Sequence, residues 1–408
     1  MYYGYWVLAA GSLILAIGYS FLWYGFTVFF LPLSRDLGVS RTAISLLYGM
    51  GRIEAGVQGP VVGRLIDRFG PRWIIFTGGA LTGIGFILLS WAQSYWGVLL
   101  IFVLVISVGY NTGFYHPVST AINSWFIRRR ATGFAVLDSV GSLGAVVLVP
   151  LLAYWVLSFG WRTGALMAGI ITLVVALPLA LPFHRSPESR GLHPDGRAPE
   201  RHPGNPTAET ALTVDFTVRE AIGTANYWLL TLTTTLRLSV TGAAAAHMVP
   251  ILVWKGVDEA SSAYLVSLFA FGTIATPLLM GWLGDRWSKS QLSALGILVC
   301  VGGFLLLLRS SSPLALYSFP LTMAVALGTA PLNWSLVGDF YGRGSYGTLR
   351  GIMRMANGAG AFLAPVYAGW TFDHTGSYGE VLLVFAVVLL VSAFLFFLLA
   401  PPSQPRRS

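Results

Sequence analysis

The chain of 408 residues is 55% hydrophobic, only 10% charged, and carries a formal net charge of +9. Soluble domains devote roughly a quarter of their residues to Asp, Glu, Lys and Arg, so this composition excludes an ordinary water-soluble enzyme or binding module. A single cysteine, Cys300, excludes an internal disulfide.

Apolar runs of about 20 residues recur along the whole sequence, each long enough to cross ~30 Å of hydrocarbon as a helix. Twelve can be placed, near 5–31, 42–66, 72–92, 96–127, 131–157, 162–183, 224–253, 261–284, 291–309, 313–338, 347–372 and 379–400. The first, from Tyr5 to Leu31, is too long for a signal-peptide core and no small-residue cleavage site follows it, so it is read as retained. Of the 25 Lys and Arg, 17 fall on one side of this layout, Arg350 among them; five fall on the other, and Arg52, Arg237 and Arg354 lie within the membrane. That bias accounts for the net charge without nucleic acid. It places both termini in the cytoplasm of a multi-pass protein of the cell (inner) membrane.

In chain order, the first run is aromatic-rich from Tyr19 to Phe30 and has no charge, so it can supply wall but not an ion site. The second run carries Arg52 and Glu54. Asp67 marks where this helix meets water, and Arg52 lies 15 residues earlier, which at ~1.5 Å rise per residue is roughly 22 Å deep. A charge at that depth costs roughly 2.5 to 3.5 kcal/mol, so these two side chains are expected to face a water-filled interior or a partner. The run then leaves the membrane through Gly63, Asp67, Arg68, Gly70 and Arg72, a tight basic turn.

The fourth run places Asn111, Tyr115 and His116 in an otherwise apolar helix, with Pro117 freeing a backbone carbonyl nearby. Asn111 and Tyr115 share one face and suit a ligand; His116, about 15 Å from the helix end, is either a ligand contact or a hydrogen-bonded core histidine. In the fifth run Asp138 lies ~12 Å beyond Arg130. A buried carboxylate must be paired or protonated, which makes Asp138 a partner for Arg52 or Arg237, or a proton site.

Between 184 and 219 the composition changes to Pro, Gly, charge and small polar residues that cannot build a core, and a cytoplasmic linker is expected there. It divides the runs into an N-terminal six-helix bundle, 1–183, and a C-terminal one, 220–408. The seventh run carries Arg237, about 16 Å past Asn226, and His247 beside Pro250; Arg237 is too deep to snorkel and is expected to pair with a carboxylate or bind an anion. In the eleventh run Arg350 is placed at the surface. Arg354, a turn deeper, reaches the cavity floor or a lipid phosphate.

The second half echoes the first. Gly281, Asp285 and Arg286 match Gly63, Asp67 and Arg68 at one offset of 218 residues. The expected fold is therefore an all-α membrane protein of twelve transmembrane helices, built as two pseudo-symmetric six-helix bundles.

On these residues the chain resembles the major facilitator superfamily over nearly its full length, through the run Gly63, Asp67, Arg68, Gly70, Arg72. Within it the chain is most similar to the monocarboxylate and oxalate/formate porter branch, through Tyr115-His116-Pro117, Trp125-Phe126 with Arg129-Arg130, Gly160-Trp161-Arg162, and Phe372 to Tyr378. The resemblance implies an arginine in mid helix 8, and the stretch from Ser267 to Leu279 lacks one. The repeat offset carries Arg52 onto this stretch, so Arg52 with Arg237 is expected to replace it.

The resulting expectation is a secondary transporter of a small organic anion, with a monocarboxylate as leading candidate, working as a monomer by alternating access. Arg237, Arg52, Asn111, Tyr115, His116 and Arg354 would contact substrate, with Arg binding a carboxylate through two parallel hydrogen bonds. Glu54 and Asp138 would carry a coupling proton. Gly63, Asp67, Arg68, Arg72, Gly281, Asp285 and Arg286 would close the cytoplasmic side. Anion exchange, or export of amphipathic compounds as the aromatic content suggests, are the alternatives. No cofactor, metal cluster or enzymatic constellation is expected.

Overall fold

In a computed structural model of the chain, residues 2–39, 41–196 and 215–403 are described. Part of the expected linker, 197–214, and the side chain of Arg52 lie outside the described residues. The described residues are mostly helical, with no strand among them.

Nine of the described helices are long and apolar enough to cross a membrane. A tenth span is the pair Ala225–Ala246 and Met248–Trp254, bent by 62° at His247. Two further helices, Arg41–Phe69 and Tyr346–Thr375, have 29 and 30 residues. Both exceed the ~20 residues a bilayer requires, but polar side chains such as Glu54 and Gln58, or Arg350 and Asn357, interrupt their apolar faces. With them the expected twelve spans are in place.

The internal repeat is visible in the element bounds. Arg130–Phe159 and Tyr346–Thr375 are both 30 residues long, and Pro71–Ser90 is matched by Lys289–Arg309. Local chemistry sets the starts. Gly70 adopts φ 82, a left-handed turn closed to most side chains, and Pro71 follows at the first helical position. Ser94, Thr224, Asp258 and Ser312 each accept from a backbone N–H three residues on, satisfying one of the orphan donors of a helix start.

The chain clusters into two compact units. The first comprises Met1–Arg128, Val136–Asp215 and Tyr341–Ile352; the second comprises Arg129–Ala135, Phe216–Phe340 and Met353–Ser408. Within the first, helices pass backbone to backbone where glycine permits it. A Cβ on Gly109 would stand 2.6 Å from the Thr82 nitrogen. Small residues at such crossings let dispersion contacts replace the hydrophobic driving force that lipid removes. In the second unit Thr276 donates across to the Ala324 carbonyl at 2.7 Å, tying Glu259–Gly284 to Pro313–Gly328.

Candidate functional site

The first unit holds two carboxylate nests. Glu54, half-buried on Arg41–Phe69, accepts at Oε2 from Ser107 Oγ at 2.9 Å and from Asn111 Nδ2 at 3.1 Å. Asn111 also donates to Ser107 Oγ at 3.2 Å. Predicted substrate residue Asn111 is thus brought together with predicted proton carrier Glu54. Ser107, from a π-helical stretch Phe102–Ser107, joins them; nothing but its polarity in an apolar run marked it in the sequence.

Asp138 is the centre of the second nest. Its Oδ1 accepts from Tyr19 Oη at 3.3 Å and its Oδ2 from Tyr115 Oη at 3.2 Å. Tyr19 opens another π-helical turn, Tyr19–Trp23. Arg350, expected at the surface, is instead 1% exposed, with its guanidinium carbon 4.5 Å over the Tyr115 ring. The Tyr115 ring covers it.

His116 is 1% exposed and donates from Nε2 to the Gly347 carbonyl at 2.9 Å. Between its two expected readings, this geometry is that of a hydrogen-bonded core histidine.

Arg237 in the second unit is fully buried. Its Nη1 donates to the Ala326 carbonyl at 3.1 Å. With its oxygen facing the guanidinium, the Asn333 amide accepts from Nε and Nη2, both at 3.1 Å, and its nitrogen donates to Ser293 Oγ at 3.1 Å. Among the described residues the partners of Arg237 are neutral oxygens rather than a carboxylate. Asn333, the one amide side chain on Ala330–Tyr341, is not singled out by the sequence reading. Arg354 is half-buried in the same unit, where Thr235 Oγ1 also donates to Asn357 Oδ1 at 2.8 Å. His247, at the bend, lies 3.0 Å from Tyr378 Oη through Nδ1.

The two glycine and aspartate turns behave alike. Asp67 accepts from the Gly347 and Thr348 nitrogens at 3.0 and 2.9 Å, and from Thr348 Oγ1 at 2.7 Å. Asp285 accepts from the Ala131 and Thr132 nitrogens at 2.9 and 3.0 Å. Each acid caps the start of a 30-residue helix, where unpaired N–H groups and the macrodipole favour negative charge. Gly63 and Gly281 allow the approach: a Cβ on Gly281 would lie 2.8 Å from the Ala131 carbonyl, and one on Gly63 would land on the Gly347 carbonyl. Burial raises the Asp285 carboxyl above the usual carboxylate range, against the lowering effect of its hydrogen bonds. Arg68 and Arg286 lie over Phe69 and Trp282, with guanidinium carbons 5.3 and 4.0 Å from the ring centroids, and Arg72 lies 6.0 Å over Trp73. These arginines stack on rings at the helix ends.

Paired acid-capped helix starts, a duplicated six-helix pattern and buried charge in lipid-length helices define a polytopic membrane transporter. The sequence model described as Major Facilitator Superfamily matches residues 12–257 and 227–408, and the chain belongs to that superfamily. It is 25% identical over 393 residues to Monocarboxylate transporter 13 of Bos taurus, covering 93% of this chain and 87% of that one. It is 26% identical over 377 residues to the membrane sensor protein UhpC of Escherichia coli, covering 86% and 83%. The crystal structure of the E. coli fucose:proton symporter FucP superposes with a TM-score of 0.74 at 13% identity, over 98% of this chain and 100% of that one; at that identity the likeness is one of fold.

Proposed function

We propose that the protein is a secondary transporter of a small organic anion, with monocarboxylates as the substrate class, acting by alternating access in the cell (inner) membrane with both termini cytoplasmic. The halves are 1–183 and 220–408, with 184–219 as the linker. The observation that carries the reading is Arg237, a guanidinium sealed within a lipid-spanning unit and bonded to neutral oxygens. In a weakly screened interior such a permanent cation projects a positive potential that favours an anion and repels a cation.

Arg354, half-buried in the second unit, is the arginine we assign to direct substrate contact. The relatedness to monocarboxylate transporters points the same way. Glu54 and Asp138 are the proposed coupling groups.

Purified protein in proteoliposomes is expected to accumulate labelled pyruvate or L-lactate, and Arg237→Ala to lower the rate more than tenfold while Arg237→Lys keeps a part. An Arg237→Ala protein that folds and transports at the native rate would remove the assignment. Imposing an inward proton gradient tests the coupling, since indifferent uptake favours exchange or uniport. The relative named as a sensor favours a second reading, in which the anion is bound but not moved. Saturable binding without uptake would support that one.

A further inference from the structure

The carboxylate of Asp138 is held as a free carboxylate ligand would be. Each oxygen accepts from a different phenol, Tyr19 and Tyr115. The two rings lie 15° from parallel with centroids 6.4 Å apart. The Arg350 guanidinium over the Tyr115 ring is close enough to act on the carboxylate's charge. Two hydroxyl donors and a cation are a sufficient set for a small monocarboxylate, and Asp138, Tyr19 and Tyr115 are half-buried rather than sealed.

We propose that Asp138 is an internal stand-in for the carboxylate of the transported anion, and that Tyr19, Tyr115 and Arg350 form the donor set for which the two compete. This deepens the anion reading above and rests on it. Tyr19 and Arg350 thereby become specificity residues.

The charge count explains why the competition needs a proton. Ionised Asp138 beside Arg350 sums to zero. An anion entering while Asp138 keeps its charge would set two carboxylates against one cation in a weakly screened interior. One proton taken up from the bulk solution as hydronium, which leaves neutral water behind, and added to an Asp138 oxygen removes that conflict. Both phenols are released, the incoming carboxylate takes their hydrogen bonds, and the new carboxylic O–H is a third donor. Arg350 and the anion again sum to zero, so anion and proton enter and leave as a pair.

The groups facing Asp138 fit this exchange. The π-helical turn contributes Tyr19, the helix Tyr115–Trp125 contributes Tyr115, and Tyr346–Thr375 contributes Arg350, which among the described residues is the charged group acting on Asp138. Gly141, a turn after Asp138, leaves room for the phenol, since a Cβ there would lie 3.1 Å from the Tyr19 ring.

The test is equilibrium binding of labelled L-lactate and pyruvate to the full-length protein between about pH 5 and pH 8, a range spanning the titration of a perturbed carboxyl. Wild type should lose affinity about tenfold per pH unit on the alkaline side, the linkage of one proton to one ligand. Asp138→Asn should bind at the low-pH level with no pH slope. Tyr19→Phe and Tyr115→Phe, placed in the Asp138→Asn background, should each weaken binding several-fold and leave it flat. An infrared carboxylic C=O band should appear on probe binding in wild type and be missing in Asp138→Asn, a readout that a merely structural role would not move. A native slope in Asp138→Asn, or tyrosine variants that bind as tightly as their parent, overturns the proposal and leaves the anion reading standing. Wild type that holds neither probe at any pH overturns both.

Discussion

Asp138 and Arg237 are both ionisable groups in the middle of lipid-spanning helices, yet their surroundings differ in kind. Asp138 is half-buried and held by phenol hydroxyls that can turn to another acceptor. Arg237 is fully enclosed and held by a backbone carbonyl and an amide that is itself anchored to Ser293. Under the proposed exchange, the first arrangement lets a charge come and go. The second fixes a charge in place, because a guanidinium does not deprotonate in proteins.

The contrast is open to experiment. Asn333→Leu should have the largest effect, since it strands two guanidinium N–H groups where no water can replace the lost acceptor; about 2–3 kcal/mol of stability should disappear in denaturant or thermal melts. Asp138→Asn should cost under about 1 kcal/mol, because the amide oxygen still accepts from one tyrosine, while the pH profile of binding changes completely. Equal losses from the two variants would erase the distinction between a fixed and an exchangeable charge. Gly141→Ala sharpens it further. Crowding of the Tyr19 ring should weaken binding several-fold at unchanged melting temperature.

A carboxylate outside the spans supplies the control with the smallest effect. The Asp285 carboxyl is raised by burial above its ordinary value of 3.8, so the folded state holds this proton more tightly than the unfolded one. Its contribution to stability is therefore fully present below the unfolded value and is lost as pH rises through the folded one. Asp285→Asn should flatten that part of the stability curve on the acid side and leave the pH dependence of binding untouched.

Much of this was legible along the chain. The offset of 218 between Gly63 with Asp67 and Gly281 with Asp285 anticipates two turns that do the same job, and the structure gives both the same capping geometry. The twelve runs were legible because apolar length is a one-dimensional quantity. Partners were not. Counting along a helix gives depth but says nothing of what lies beside it, so Arg350 was placed at the surface although the Tyr115 ring covers it. Tyr19 was read as plain wall because its partner is 119 residues away. For Asp138 the chain offers a pair with Arg52 or Arg237, or a proton site, and the two phenols that bond it are not among those expectations.

The capping aspartates carry one last consequence. The helix starting at Arg130 takes its acceptor from Asp285, and the one starting at Tyr346 takes its acceptor from Asp67. Were the polypeptide severed between 197 and 214 and the fragments produced apart, each would present two amide donors whose natural acceptor travels with the other fragment. Neither piece would be self-sufficient, and pull-down of one by the other on joint production would follow from the capping alone.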